Sequence, residues 1–212
     1  MAKQRQVPNN RKDLIIAAAQ TVIATHGYPA ASARTISAQC GISPGTLTYH
    51  FATMDELLVS ALRDASSHFT AEIVSASLKR RCSVRRLQYI VEAMLPSSPS
   101  AIRNWKLWLE YWARAAHMPE LAILHCERYA DLRNAFETII HEGIASGEIK
   151  KLDARLEALK LIGLLDGLGL QAVIGDREIT IGVARKMLLQ AIGNLRPEKN
   201  RLPDRMSQCH LR

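Results

Sequence analysis

Apolar residues recur along this chain at three- and four-residue spacing, interrupted by glycines, prolines and capping residues, and nowhere alternate with the period of two that marks a strand. The pattern predicts an all-α fold of nine helices. A first helix runs from about Asn10 to His26, with Leu14, Ile15, Ala18, Val22 and Thr25 as its buried stripe and Gly27 as its stop. Two short helices follow within residues 32–51. Thr53-Met54-Asp55-Glu56 then reads as a capping box, in which the Thr hydroxyl takes the N–H three residues on and the Glu reaches back. It opens a long helix through Leu57, Leu58, Ala61, Leu62, Ala65, Phe69, Ile73 and Val74, ending near Lys79. Val84–Leu95 is the next, closed by the linker-like Pro96-Ser97-Ser98-Pro99. Ala101–His117 carries all three tryptophans, Pro119 begins a helix that Gly147 stops, and Asp153–Ile174 and Thr180–Leu195 complete the set. The tail has no apolar periodicity and reads as disordered, and the first residues read as a flexible basic arm.

The stretch Ser32–Phe51 is the most informative, because its local signals agree with one another. Ser32 is a capping residue, Ile36 and Cys40 lie four apart on one face, and Gly41 occupies the stop position that needs positive φ. Ser43-Pro44 restarts the chain with Ser as cap and Pro at the first helical position, where its missing N–H is harmless. Two short helices about a glycine turn are the pattern of a helix-turn-helix, whose second helix enters a DNA major groove.

Charge adds to that reading. The formal net charge of the 212 residues is +8, and it is uneven: residues 1–53 hold Lys3, Arg5, Arg11, Lys12 and Arg34 against Asp13, the tail from Arg196 is also basic, and the middle is nearly neutral. A basic end on a balanced body suits phosphate neutralisation on double-stranded DNA. The second basic run, Lys79-Arg80-Arg81 with Arg85-Arg86, reads as a solvated helix end. Cys40, Cys82, Cys126 and Cys209 are scattered and read as reduced thiols of a cytoplasmic protein without a secretory leader. The longest apolar run, Leu159–Ile174, is interrupted by Lys160 and Asp166, so no membrane span is expected. No zinc-protease, nucleophile-elbow, Walker or dinucleotide motif appears, and no Cys/His cluster has metal spacing; neither an enzyme, a cofactor nor a metal is expected.

The residues Arg11, Ala18, Gly27-Tyr28, Ile36, Gly41-Ile42-Ser43, Gly45-Thr46-Leu47, His50-Phe51 and Leu57-Leu58, taken in register, resemble the DNA-binding head of the tetracycline-repressor (TetR) family. Trp105, Trp108-Leu109, Trp112 and Leu165-Asp166-Gly167-Leu168 resemble, more distantly, the C-terminal domain of the choline-responsive regulators of betaine synthesis. The resemblance implies a homodimer, a palindromic operator, and repression relieved by a small-molecule effector of unknown identity. It also divides the chain into the arm (1–9), a DNA-binding domain (10–53), a ligand-binding and dimerisation domain (54–195) and the tail (196–212). Two departures stand out: Thr48 replaces a customary phosphate-contacting Tyr of the recognition helix, and Met54 replaces the Lys that usually opens the next helix.

Within this frame Arg34, Ser43, Pro44, Gly45, Thr46, Thr48, Tyr49 and His50 are the candidate DNA-binding residues, while Leu47 and Phe51 face the core. Leu156, Leu159, Gly163, Gly167 and Leu170, with Met187 and Ala191 on the last helix, form the candidate homodimer seam. Trp105, Trp108, Trp112 and Tyr111, with His117 and Asp166, are the candidate ligand site: aromatic faces attract a quaternary ammonium, yet the same stripe at helical spacing equally describes plain core. A ligand-independent DNA-binding regulator or activator remains open, as does, more remotely, a helical interaction module that binds no DNA.

Overall fold

A computed structural model describes residues 10–198. Nine α-helices and one 3-10 turn make up their regular structure, with no strand among the described residues: α1 (Arg11–His26), the turn Tyr28–Ala30, α2 (Ala33–Cys40), α3 (Pro44–His50), α4 (Met54–Ser77), α5 (Ser83–Met94), α6 (Pro99–Ala115), α7 (Pro119–Ala145), α8 (Ala154–Ile174) and α9 (Ile181–Gly193). The expected arm and all but the first residues of the expected tail lie outside the described residues, as do the side chains of Leu62, Ala65 and Phe69.

Short-range hydrogen bonds set most helix starts. The Asn10, Ser98, Asp153 and Thr180 side chains each accept from a backbone N–H two or three residues on, opening α1, α6, α8 and α9. Ser98-Pro99 repeats the Ser43-Pro44 device, so the stretch expected as a linker ends as the cap of α6. At α4 the Thr53 hydroxyl accepts from the Glu56 N–H at 3.0 Å, while the Glu56 carboxylate reaches one residue further back than expected, to the Ala52 N–H at 2.9 Å. The α5 start is different. Cys82 gives it no side-chain cap, and the carboxylate of Glu148, 65 residues away in sequence, accepts from the Ser83 N–H at 2.8 Å.

The chain divides into two compact units, Met1–Ala71 with Ser98–Arg128 and Glu72–Ser97 with Tyr129–Arg212; α4 and α7 each contribute residues to both. In the first unit Ile15, Ala19, Val22, Ile36, Leu47, Phe51, Leu57 and Leu58 form one core with Leu107 and Tyr111 of α6 and Leu121 of α7. The buried arc of α1 is shifted from the expected stripe: Leu14 and Thr25 are exposed, and Ala19 and Ile23 are buried in their place. The reason is that α1 packs against α2 and also against α6, which turns a different face inward. In the second unit α5 and α8 pack on α9, with Leu87, Ile90, Phe136, Ile140, Leu165, Leu188 and Ile192 buried. Gly143 lets α7 approach Ile149 and Ser83 closely, since a Cβ there would stand 2.6 Å from the Ile149 side chain. The ion pair Arg185–Glu92 lies on this unit's surface, and Arg86, largely buried, pairs with Glu142. Among the described residues no helix is long and apolar enough to cross a membrane.

Candidate DNA-binding and effector-binding sites

The geometry of α2, its turn and α3 follows from local chemistry. The Ser32 hydroxyl accepts from the Thr35 N–H at 3.1 Å and the Thr35 hydroxyl accepts in return from the Ser32 N–H at 2.9 Å, a reciprocal box that fixes the start of α2. Gly41 at φ 70° ends it in the left-handed region, and the Ile42 N–H closes back on the Ser37 carbonyl at 3.0 Å. The Ser43 hydroxyl then caps α3 by accepting from the Thr46 N–H at 3.1 Å. Leu47 and Phe51 are buried in the core, which turns the opposite face of α3 outward.

That outward face carries most of the expected DNA-binding residues. Ser43, Pro44, Gly45 and Thr48 are exposed, and Tyr49 is 86% exposed, with its ring edge-on to that of half-buried His50 at 5.3 Å. Arg34 is exposed in the first turn of α2. The two threonines differ. Thr46 is half-buried with its hydroxyl 2.9 Å from that of Ser43, whereas Thr48 is exposed and its hydroxyl donates back to the Gly45 carbonyl at 3.1 Å. Met54, at the position where the family pattern has lysine, is half-buried against the core.

One cation was not among the expected site residues. Lys12, exposed in the first turn of α1, holds its ammonium 5.1 Å above the ring of Phe51, at the end of α3. The sequence showed only its charge, because its closeness to α3 depends on how α1 crosses the head.

The aromatic residues of α6 are packed on one another. Trp105 and Tyr111 are buried, Trp108 and Trp112 half-buried, with Trp105–Trp112 and Trp108–Tyr111 meeting edge to face at 6.0 and 5.1 Å between centroids. Tyr111 donates to the Leu121 carbonyl, and burial pushes its pKa up to about 12. Trp108 and Trp112 pack against the core of the head, and the indole N–H of Trp112 is buried with no hydrogen-bond partner among the described residues. His117 stands exposed between α6 and α7. Asp166 belongs to the second unit, where it is half-buried and accepts from the Tyr129 hydroxyl at 2.9 Å. Desolvation raises its carboxyl pKa to about 6, the hydrogen bond from Tyr129 opposing the shift.

The candidate dimer seam lies open on the second unit. Leu156, Leu159 and Met187 are 49%, 44% and 40% exposed, Gly163 is exposed, and Gly167, Leu170 and Ala191 are half-buried. A Cβ added at Gly163 or Gly167 would meet nothing within 4 Å. Among the described residues no three His, Cys, Asp or Glu side chains gather as a metal site.

An all-helical chain with a capped helix-turn-helix and an outward-facing α3 is a DNA-binding regulator by architecture, and comparison with known proteins gives the family. Residues 15–61 match the model for bacterial regulatory proteins of the tetR family, and the chain belongs to that family of transcriptional regulators, which are not enzymes. Residues 83–197 match the model for the C-terminal part of BetI-type transcriptional repressors. The regulator BetI of Cronobacter sakazakii is 30% identical over 91% of this chain and 93% of its own length. PksA of Bacillus subtilis is 26% identical over 95% of this chain and 97% of its own. Among solved structures, a transcriptional regulator from Saccharomonospora viridis in complex with choline superposes with a TM-score of 0.82 at 27% identity, covering 86% of this chain and 95% of that one.

Proposed function

We propose that this chain is a homodimeric, cytoplasmic repressor that grips a palindromic operator with α3 and releases it when a small organic cation binds the helical body. The observation that carries the DNA-binding part is the exposed face of α3, on which Tyr49 stands almost fully exposed while Leu47 and Phe51 are buried. In this reading Tyr49, His50 and the Thr48 methyl meet base edges, Arg34 meets a phosphate or guanine, and Ser43, Pro44, Gly45 and Thr46 shape the leading turn. One head binds weakly, so two are needed, and the open seam of Leu156, Leu159, Gly163, Gly167, Leu170, Met187 and Ala191 is the surface that pairs them. The domain division follows: 10–53 reads DNA, and 54–195 binds ligand and dimerises.

The effector reading rests on Asp166. The half-buried Asp166 carboxylate, held by the Tyr129 hydroxyl, offers a negative charge that a small cation would neutralise, and the choline held by the Saccharomonospora viridis relative supports that class. The tryptophans of α6 act in this account as packing that ties α6 to the head. Effector binding shifts the dimer toward a geometry in which the heads no longer fit adjacent half-sites, and α4 and α7, which belong to both units, carry the change. Two measurements test the proposal. Tyr49→Ala is expected to weaken operator binding by about tenfold or more in a gel-shift titration while leaving thermal unfolding unchanged, since a base-contacting side chain contributes about 1–3 kcal/mol; unchanged affinity removes Tyr49 from the interface. Choline chloride is expected to raise the melting temperature of the wild type and not of Asp166→Asn; no shift with choline or other quaternary ammonium ions removes the cation reading.

A further inference from the structure

Three separated pieces of the head's unit meet at one arginine. The guanidinium carbon of Arg114, in the last turn of α6, lies 3.2 Å from the centroid of the Tyr28 ring in the turn after α1. Its Nη1 is 3.2 Å from Oδ1 of Asp55, in the first turn of α4, and the Tyr28 hydroxyl donates to that same oxygen at 2.8 Å. The arrangement is partly shielded, with the Arg114 side chain 30% and the Asp55 side chain 48% exposed. One turn earlier on α6, the Glu110 carboxylate lies against Gly27: a Cβ there would be 3.2 Å from its Oε1, so the two i,i+4 residues of α6 face the same turn. The charges also suit the helix ends, an arginine at the carboxyl end of α6 and an aspartate at the amino end of α4.

Placement gives the cluster its consequence. Asp55 follows Met54, where the family pattern has a phosphate-contacting lysine, so the first turn of α4, which begins four residues after the end of α3, has no cation of its own. Its orientation is fixed by Thr53 and Glu56 locally and by Arg114 from α6. We propose that Arg114 is a positioning residue for operator binding: through Asp55 and Tyr28 it locks the last turn of α6 to the first turn of α4, so that α6 and the head respond to DNA as one body. The inference rests on the DNA-binding reading above and adds a residue that touches neither base nor effector. Linkage makes it testable without the effector, because a coupled α6 must change when DNA binds the head.

The experiment is hydrogen–deuterium exchange on the full-length homodimer, with and without a duplex recovered by selection from random DNA. In the wild type the duplex is expected to protect residues 43–51 and also residues 110–116. In Arg114→Met, protection over 43–51 persists, the added protection over 110–116 is lost, and operator affinity falls about tenfold, as for loss of a charged hydrogen bond that holds a site in shape. Arg114→Lys, which keeps the charge but not the flat stack on Tyr28, restores part of both. Asp55→Asn, which keeps an acceptor for the Tyr28 hydroxyl, gives the same loss by a second route and serves if Arg114→Met does not fold. Protection over 110–116 equal to wild type in both variants overturns the proposal. Wild-type protection over 43–51 without any over 110–116 overturns it while leaving the DNA reading intact, and protection of neither segment overturns both.

Discussion

Gly167→Leu separates the folding of one protomer from the assembly of two. In α8 the glycines at 163 and 167 face open space, where an added Cβ meets nothing within 4 Å. Glycine inside a helix costs about 1 kcal/mol relative to alanine, and leucine is nearly as good a helix former, so the substitution should stabilise the protomer by close to that amount. At a helix crossing the sign reverses, because backbones that approach over glycine are driven apart by a leucine side chain. What is then lost is the burial of the open seam. Leu156, Leu159 and Met187 are each a little under half exposed; at about 1 kcal/mol apiece on both protomers, they place about 6 kcal/mol at stake, or about four decades in the dimer dissociation constant. Sedimentation velocity at micromolar concentration is expected to show a dimer for wild type and a monomer for the variant. The variant's unfolding temperature should be independent of concentration, and its operator binding lost. A variant that sediments as a dimer with unchanged dissociation constant refutes the placement of the interface.

Two further outcomes follow from the site geometry. Lys12→Gln is expected to lower the slope of log affinity against log salt by about one, the effect of removing one cation that would neutralise a phosphate beside α3, with little change in thermal stability; an unchanged slope over a salt series removes Lys12 from the DNA surface. Asp166, whose folded-state pKa is raised from 3.8 to about 6, binds its proton more tightly when folded than when unfolded, so its contribution is most favourable at low pH and is lost as pH rises through that window. Asp166→Asn keeps an acceptor for the Tyr129 hydroxyl and should therefore gain in melting temperature relative to wild type as pH rises from 4 to 7, and parallel pH profiles would show that burial of this carboxylate is not a determinant of stability.

The helix-turn-helix was legible in the sequence because its chemistry is local. Ser32, Gly41 and Ser43 act on backbone groups within a few residues, and those bonds form whatever the rest of the chain does. The same holds for the helix ends at Ser98, Asp153 and Thr180. What depended on packing was less visible. The arc of α1 was displaced toward Ala19 and Ile23 because two helices cover it, which periodicity within α1 does not encode. Glu148 capping α5 and Arg114 meeting Asp55 join positions 65 and 59 residues apart, and a charged residue at such a distance reads as surface until the fold is known. The proposed seam shows the converse ambiguity: spacing marks Leu156 and Leu159 as one face of α8, and only the folded structure shows that this face is left exposed rather than used as core.

Two copies of α3, one from each protomer, are proposed to read a symmetric DNA site. The decisive experiment is selection from a random duplex pool by the purified full-length protein, followed by sequencing. Enrichment of a palindrome whose half-sites lie about one helical turn apart is expected, with the enriched positions lost when the pool is selected by Tyr49→Ala. A pool that stays random after repeated rounds, or an enriched site without two-fold symmetry, would contradict it.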